Sequence, residues 1–444
     1  MADDPTGEVT DLLQGLIRNR CVNDGSDASG HERRNADLLV DLLEGPGLDL
    51  VTYEPAPGRA SVLARIEGSD PAAPSLLLLG HTDVVPANPD RWQRDPFGAE
   101  LVDGEVWGRG AVDMLNLTAS MAVAVCHLAR RGWRPKGTLS LLAVADEEAL
   151  GAHGAGWLTA HERDAVGADY VITEPGSVPI PRADGARLPV TIAEKGSYWC
   201  RIVVGGTSGH ASQPHRSDNA VVTAAEVVRR IARYRPEARI HQAWERWVRG
   251  AGFEEDLATG LLDPAAIDGL CETLPVAQAR LAHACTHTTF APTMIDGGVK
   301  TNVIPDRVTM EVDIRTLPGD CAGEVSAMVD DALGDLAGRV TVEAIADDPS
   351  TSSPADTPLW DELARVSQRL VPGSKVVPSM TVGATDARFF RRIGATAYGF
   401  GLLGDRVTFE QYAAMFHGDD ERVDQTSLRL STECWIELAE RFLG

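Results

Sequence analysis

Two kinds of apolar segment alternate through the first part of the chain. Apolar residues recur at helical spacing in 9–18 and 32–44, and the segment 118–131 is apolar enough to form a buried helix. Short apolar runs with the length of buried strands lie at 61–66, 76–80, 139–145 and 170–173. Strands that alternate with helices predict an α/β fold, with a mainly parallel sheet and helices on both of its faces.

The pattern changes after Glu194. The segment YWCRIVVGG alternates apolar and polar residues, which predicts a half-exposed strand, and a helix is predicted at 218–234. The stretch 240–290 is polar and is predicted to be irregular, and two more alternating runs, VTMEVDIR and RVTVEAIA, end near residue 346. We interpret 194–346 as an α+β module that is inserted into the first domain.

The α/β pattern then resumes. A turn-rich linker, 347–358, is followed by a helix predicted at 359–370 and by an apolar run near 395–401. The sequence therefore predicts one domain made of 1–193 and 347–444, interrupted by the inserted module.

Charge and cysteine content exclude several classes of protein. The chain has 444 residues with 41 basic and 65 acidic side chains, a net charge of −24, so nucleic acid and anionic membranes should repel it. Its seven cysteines form no CxxC pair, which argues against a disulfide framework or a thiolate zinc site. The start, MADDPTGEVT, does not resemble a signal peptide, and no apolar run approaches the ~20 residues of a membrane span. We expect a cytoplasmic protein.

Candidate metal ligands stand where apolar runs end. The three runs LLLLGHTD, LSLLAVADEE and YVITEP end in acidic residues and one histidine: His81, Asp83, Asp146, Glu147, Glu148 and Glu174. In an open α/β sheet, ligands bind outside the carboxyl ends of the strands, so these side chains should converge. His81 and Asp83 point to the same side of an extended strand, and Asp83 has the spacing of a carboxylate that fixes the tautomer of a ligating imidazole.

Each candidate also has a simpler explanation. The His81–Asp83 pair could only cap the following turn, and Asp113 could be an ordinary acid at the start of a helix. Glu147 and Glu148 could be a solvated pair, and His417 lies in a polar turn where histidines are usually incidental. These explanations weaken when all of the residues occur in one chain. Histidines and carboxylates without cysteine suit zinc, or a harder ion such as manganese or cobalt.

An ordered set of motifs resembles one known family. The motifs are GHTDVVP, WGRGAVDM, ADEE, TEPG, GTSGHASQPHRSDNA, TNVIPDRV and FHGDDERV, and together they run from residue 80 to 423. The sequence resembles the metallopeptidase and amidohydrolase family of aminoacylase, glutamate carboxypeptidase and succinyl-diaminopimelate desuccinylase. The resemblance covers nearly the whole chain.

The resemblance implies a centre with two divalent metal ions, most simply zinc. Asp113 would bridge the two ions; His81 and Glu174 would complete one site, and Glu148 and His417 the other. Two such ions can produce hydroxide at neutral pH and can polarise a carbonyl. The resemblance also implies a cis peptide bond after Asp113.

Two further roles at this centre follow from the resemblance. Asp83 would orient His81, and Glu147 would be the general base that activates the water held between the ions. A carboxylate within reach takes the proton of that water and delivers it to the leaving amine. The implied reaction is amide hydrolysis without a covalent intermediate.

The inserted module would serve as a lid and as a dimerisation domain. The resemblance implies that His210 reaches the active site of the partner subunit and stabilises the oxyanion there, and that Asn302 and Arg315 bind the carboxylate of the substrate. The loop VGATDARFF, with Gly383 and Thr385, resembles the substrate-pocket loop of the family. Without the resemblance, His210 reads as a loop histidine and Arg315 as the partner of an acid on a neighbouring strand.

The sequence thus predicts a homodimeric enzyme that cleaves an N-acyl amino acid or a small dipeptide-like amide with a free carboxylate. The alternative is a dipeptidase, a carboxypeptidase or a biosynthetic deacylase on the same fold. A binding protein without activity is disfavoured, because such a protein would lack a metal ligand or the general base, and none is missing here. Leu115-Asn116-Leu117 replaces the Lys-Gly-Gly of many relatives, which leaves the subfamily open. Glu174 in place of aspartate favours aminoacylases and the desuccinylase over the glutamate carboxypeptidase.

Overall fold

The computed structural model describes residues 4–45 and 47–444. Its strands are β1 (Asp49–Tyr53), β2 (Ser61–Ile66), β3 (Leu76–His81), β4 (Glu100–Val102), β5 (Glu105–Trp107), β6 (Leu139–Val144), β7 (Tyr170–Thr173), β8 (Arg187–Glu194), β9 (Gly196–Gly205), β10 (Gly209–His210), β11 (Thr289–Gly297), β12 (Val303–Ile304), β13 (Arg307–Thr316), β14 (Val340–Asp348), β15 (Thr351–Ser352), β16 (Lys375–Thr381), β17 (Thr396–Gly399) and β18 (Arg422–Asp424).

The α-helices include those predicted at 9–18, 32–44, 118–131, 218–234 and 359–370. They are α1 (Thr6–Arg18), α2 (Arg33–Leu43), α3 (Leu115–Arg130), α4 (Ala155–His161), α5 (Arg163–Val166), α6 (Ala220–Arg233), α7 (Gln242–Gly250), α8 (Glu255–Leu261), α9 (Ile267–Cys271), α10 (Val276–Thr286), α11 (Ala322–Leu333), α12 (Pro358–Leu370), α13 (Ala387–Arg392), α14 (Phe409–Met415) and α15 (Gln425–Phe442). Among the described residues, none of the helices is both long and apolar enough to span a bilayer.

A large mixed sheet organises the molecule. Its strands follow the order β1-β2-β6-β3-β7-β17-β8-β15, and β16 also pairs with β8. The four central strands, β6, β3, β7 and β17, are parallel to one another, whereas β1, β2 and β15 pair antiparallel. The α/β class and the parallel centre of the sheet confirm the prediction. Because the central strands are parallel, their carboxyl ends meet along one edge.

Helices cover both faces of this sheet, as predicted. On β3, Leu76 and Leu78 belong to the core under α1, α3 and α15, while Leu77 and Leu79 belong to the core under α4 and α13. Successive residues of a strand point to opposite faces, so a run of four leucines supplies both cores. The helix α3 is apolar on all sides for a similar reason, because nearly its whole surface is buried.

A second, antiparallel sheet has its own core. Its order is β11-β13-β9-β14, and β9 begins directly after β8 of the central sheet. Buried and half-buried residues alternate along β9 and β13, and the buried set packs under α6 and α11. This arrangement has the strands and the helix that the sequence predicts for the module 194–346. The boundaries of that module stay a prediction.

The stretch 240–290 differs from the prediction of an irregular segment. It contains the four helices α7 to α10, and Trp244 and Trp247 of α7 are buried in the core on the central sheet, where α7 contacts β16. In QAWERWVRG the apolar residues recur at helical spacing, but charged residues separate them and the helix is short. The polar composition of the stretch therefore makes its amphipathic helices hard to identify from the sequence.

Candidate metal centre

Three parallel strands deliver the candidate ligands to one edge of the sheet. His81 is the last residue of β3, Glu147 and Glu148 follow β6 in a short 3-10 turn, and Glu174 follows the last residue of β7. The main-chain pairing of β3 with β6 and with β7 sets these strand ends side by side. The convergence predicted from the sequence is present.

Asp113 and His417 reach the same edge from loops. Asp113 lies just before α3, and the peptide bond that follows it is cis, as the resemblance implies. The buried Glu421 shapes this loop, since its Oε2 accepts hydrogen bonds from the main-chain N–H groups of Gly110 at 2.8 Å and Val112 at 3.2 Å. His417 lies two residues after the end of α14.

The five side chains form two groups that share Asp113. On one side, His81 Nε2 lies 3.2 Å from Asp113 Oδ1 and 3.7 Å from Glu174 Oε1. On the other side, His417 Nε2 lies 3.3 Å from Asp113 Oδ2 and 3.1 Å from Glu148 Oε2. Each oxygen of Asp113 therefore faces a different group. This is the placement that a carboxylate bridging two cations requires.

The electrostatics of the cluster are dominated by crowded carboxylates. Burial and the neighbouring Asp113 raise the pKa of Glu174 to about 8, and the same two causes raise the pKa of Glu148. Hydrogen bonds to Asp113 and Glu148 raise the pKa of His417 to about 10. Although burial opposes a charge on His81, its hydrogen bonds to the surrounding carboxylates, Asp113 first, raise its pKa well above the ordinary value.

The donor set fits two divalent cations. Without metal, protons on His81 and His417 supply the positive charge that balances the carboxylates. Bound cations would replace those protons. Oε1 of Glu148 is buried without a hydrogen-bond partner among the described residues, which leaves an acceptor free for a cation. Imidazole and carboxylate ligands in two groups of three suit zinc, cobalt or manganese.

Asp83 contacts both His81 and the loop of the proposed base. The main-chain carbonyl of Asp83 lies 2.9 Å from His81 Nδ1, closer than its carboxylate oxygen at 3.6 Å. The carboxylate instead accepts hydrogen bonds from the main-chain N–H groups of Glu147 at 3.2 Å and Glu148 at 3.1 Å. Asp83 thus contacts His81 mainly through its backbone, while its side chain holds the turn after β6.

A buried polar network behind Asp83 could not be read from the sequence. Asn23 donates hydrogen bonds to Asp83 at 2.9 Å and to Asp146 at 3.2 Å, and Arg59 forms ion pairs with Asp146 and, at 3.0 Å, with Glu32. Asp146, which follows β6 like the candidate ligands, is therefore engaged by Arg59 and Asn23. These partners lie far from Asp83 in the chain and carry no motif. Burial and the charge of Asp83 raise the pKa of Glu32 to about 8.

A large cavity opens onto the cluster. Its volume is about 980 Å³, and Asp113, Glu147, Glu148, Glu174 and His417 all line it. Most of the remaining wall is apolar and comes from several distant segments: Trp199, Trp244, Trp247, Leu281, Met380, Val382, Phe409 and Phe416. Pockets of this size bury a whole small ligand, and their few polar groups fix its orientation.

The predicted substrate residues fall into two sets. Arg315, Gly383 and Thr385 line the cavity. Arg315 stacks over Trp199 and donates two hydrogen bonds to Asp313 of its own strand and one, at 2.7 Å, to Ser197. Thr385 is nearly buried, and both its main-chain N–H and its hydroxyl donate to Glu194.

His210 and Asn302 lie apart from this cavity. His210 ends β10 and Asn302 directly precedes β12, which pairs with β10, and the main-chain N–H of Ala211 donates to the carbonyl of Asn302 at 3.1 Å. Both side chains are exposed, and neither residue is among those that line the cavity in the described part of the chain. The chain therefore brings the metal-ligand candidates and Glu147 together but leaves these two residues outside.

Comparison with known proteins gives a consistent result. The model of peptidase family M20/M25/M40 matches residues 77–441. The chain is 29% identical over 400 residues to the N-fatty-acyl-amino acid synthase/hydrolase PM20D1 of Xenopus tropicalis, covering 86% of this chain and 75% of that protein. It is 28% identical over 420 residues to the succinyl-diaminopimelate desuccinylase of Gluconacetobacter diazotrophicus, covering 92% of this chain and 91% of that protein.

The fold has a solved counterpart. The M20 family metallo-carboxypeptidase Sso-CP2 from Sulfolobus solfataricus superimposes with a TM-score of 0.74 at 16% sequence identity. The superposition covers 98% of this chain and 99% of that one. The likeness therefore extends over both sheets.

Proposed function

This chain belongs to peptidase family M20/M25/M40 and is a hydrolase, and from that premise we propose that it cleaves the amide bond of N-acyl amino acids with an apolar acyl group. One observation carries the proposal: a single cavity contains both the histidine and carboxylate cluster and a large apolar wall. The cluster supplies the chemistry of hydrolysis, and the wall selects the substrate.

Five residues would hold the cofactor, two divalent metal ions. His81 and Glu174 would hold one ion, Glu148 and His417 the other, and Asp113 both. We expect zinc, with cobalt or manganese as alternatives, because the ligands are imidazoles and carboxylates without thiolate. When bound, a metal pair polarises a carbonyl and lowers the pKa of water.

Glu147 would be the general base. It lines the cavity beside the ligand cluster, and burial together with the charge of Glu174 raises its pKa well above the ordinary value. A raised pKa suits a carboxylate that first takes a proton from the attacking water and then donates it to the nitrogen of the leaving amine. The hydrogen bonds from the main chain of Glu147 and Glu148 to Asp83 hold this turn in place.

The apolar wall supports an apolar acyl group over a charged one. A succinyl group would bring a second carboxylate in addition to the amino-acid carboxylate proposed for Arg315. The other arginine of the cavity, Arg388, is buried and already paired with Asp348. Burying an unpaired carboxylate among tryptophans is costly. An alkyl chain instead gains about 0.8 kcal/mol for each buried methylene.

Arg315 would bind the carboxylate of the amino-acid half. Its guanidinium lies at the cavity wall and is half-buried, and a planar fork of donors suits a carboxylate. Gly383 and Thr385 would shape another part of the cavity wall. The hydrogen bonds from Thr385 to Glu194 hold this part of the wall against β8.

A panel of substrates tests the proposal against its alternatives. Amine release from N-acyl amino acids of increasing alkyl length, from an N-succinyl amino acid and from dipeptides should favour the long alkyl amides in kcat/KM. Preference for the succinyl substrate would indicate a biosynthetic deacylase, and preference for dipeptides a dipeptidase or carboxypeptidase. Either result would replace the proposal.

A substitution in the apolar wall adds a second prediction. Leu281→Gln should lower kcat/KM for the longest acyl chains by about tenfold, because it places an amide against the alkyl chain, and should change short-chain turnover little. Leu262→Gln is the matched control, since Leu262 is also half-buried but does not line the cavity. Equal losses for all chain lengths would separate Leu281 from acyl selection.

We further propose that the protein acts as a homodimer in which His210 and Asn302 serve the active site of the partner. Both residues are exposed and lie outside the cavity of their own chain. The edge strand β11 exposes Met294 and Ile295, which supports self-association through the second sheet. In the partner site, His210 would donate a hydrogen bond to the oxyanion. The cytoplasmic location expected from the sequence stays a prediction.

Mixing two inactive variants tests the contribution of His210 across the dimer. A heterodimer of His210→Ala and Glu147→Gln subunits contains one site with an intact base and an intact histidine from the other chain. Mixing should therefore restore about half of the wild-type activity per heterodimer. Glu147→Gln mixed with Glu148→Ala is the control and should stay inactive, because both residues belong to one chain's cluster. After confirmed subunit exchange, absence of recovery would place His210 in its own subunit's site.

A further inference from the structure

A second group of metal-binding side chains lies outside the catalytic cluster. Asp268 of α9, His283 of α10 and His287, which follows α10, each offer one ligand atom within 4.8 Å of the other two. The two imidazole rings are four residues apart and stack in parallel, with 4.2 Å between ring centroids. None of these three residues belongs to the motifs that carry the family resemblance.

The hydrogen bonds of His287 determine which of its two ring nitrogens carries no proton. The hydroxyl of Thr286 donates to the carbonyl of Ala282 at 2.7 Å, so it accepts rather than donates at His287 Nδ1, 3.0 Å away. The carbonyl of His283, 3.1 Å from the same nitrogen, can also only accept. Nδ1 must therefore carry the proton, and Nε2 of a neutral ring carries a lone pair.

That lone pair faces a carboxylate. His287 is fully buried, and its Nε2 lies 3.2 Å from Asp268 Oδ1 without a hydrogen-bond partner among the described residues. Two acceptors at this distance repel each other unless a cation lies between them. A divalent cation in this position would satisfy the buried nitrogen and would be balanced by the carboxylate.

His283 and Lys195 complete the surroundings. The ring of His283, which stacks parallel to that of His287, offers the third ligand atom. The ammonium of Lys195 donates to the carbonyls of Ala284 at 2.9 Å and His287 at 2.7 Å, and so anchors the end of α10. The ligands thus stand on a fixed helix end.

We propose that Asp268, His283 and His287 bind one divalent transition-metal cation, with zinc the best fit, at a site separate from the catalytic pair. Two imidazoles and a carboxylate are a common zinc ligand set, and at bond lengths of about 2.0–2.1 Å tetrahedral ligand atoms lie little more than 3 Å apart. The separation of His287 Nε2 from Asp268 Oδ1 already matches this spacing. The exposed side of Asp268 leaves room for water as the fourth ligand.

The site has a structural consequence for the cavity. The cation would tie α9 to α10, and α10 contributes Leu281 and Cys285 to the cavity wall. The bound ion would therefore stabilise the segment that surrounds the apolar part of the pocket. It takes no part in the cleavage itself, so the proposal does not depend on the proposed function.

Zinc stoichiometry tests the site. After removal of metal with a chelator, the protein is reloaded with Zn²⁺, passed through gel filtration and measured by elemental analysis. His283→Ala and the milder Asp268→Asn should each hold one zinc equivalent fewer than wild type, and zinc should raise their Tm less. His161→Ala, which removes an exposed histidine elsewhere, should match wild type.

The Asp113→Ala background isolates the site from the catalytic pair. Zinc that remains bound in Asp113→Ala should disappear when His283→Ala is added. Unchanged stoichiometry in both Asp268→Asn and His283→Ala would overturn the proposal. A folded double variant that keeps its zinc would overturn it as well, whatever the activity of the enzyme.

Discussion

Glu147→Gln is expected to retain the metal content of the wild-type protein and to lose nearly all turnover. The amide has nearly the shape of the carboxylate, but it cannot accept the proton of the attacking water. Loss of a positioned general base lowers the rate by about 10²–10⁴-fold. Glu147 lies outside both groups of candidate ligands, so the two effects should separate. Elemental analysis and kcat on the same preparation measure them.

The control for this substitution is an exposed glutamate on the second sheet. Glu343→Gln removes an exposed carboxylate of β14 that does not line the cavity, and it should leave kcat unchanged. Near-normal activity in a metal-loaded Glu147→Gln protein would contradict the assignment of the base. Loss of metal together with activity would instead place Glu147 among the ligands.

The second large effect is expected for Asp113→Ala. Because each oxygen of Asp113 faces a different group, its removal should empty both positions of the catalytic pair and abolish activity. Glu148→Ala removes a ligand of one group only and should cost one equivalent of metal. Elemental analysis after dialysis, with circular dichroism to confirm folding, compares the two variants with wild type.

Glu148→Ala is a matched control for Asp113→Ala. Both carboxylates are buried in the same cluster, and both alanine variants remove one negative charge. An Asp113→Ala protein that retains the wild-type metal content would rule out the bridging role. Equal losses in the two variants would show that the two positions fill only together.

Local patterns were sufficient for the central sheet and its ligands. The runs that end in His81, Glu148 and Glu174 are apolar because the central strands are buried on both faces, and a polar residue where such a run stops marks the strand end. Parallel pairing then forces those ends together, so the cluster follows from the order of the elements. The motifs of the family add Asp113 and His417, which lie on loops.

The segment 240–290 shows where local patterns fail. Its helices are short, and their apolar residues are separated by charged ones, so composition suggests a solvated loop. Its burial depends on β16, a strand more than 80 residues later in the chain, which supplies the surface for Trp244 and Trp247. Part of the apolar wall of the cavity, including Trp244, Trp247 and Leu281, comes from this packing.

The sequence by itself determined the α/β class, the parallel centre of the sheet and the residues that meet at its edge. Those features depend on burial periodicity and on neighbouring strands, which short segments encode. Only the tertiary structure decided that Asp113 faces both groups of ligands and that the carboxylate of Asp83 holds the turn of Glu147. It also decided which residues form the buried polar network next to Asp83, namely Asn23, Arg59 and Glu32. Contacts between residues far apart in the chain produce no repeating pattern in the sequence. Each such contact depends on where the rest of the fold places the second residue.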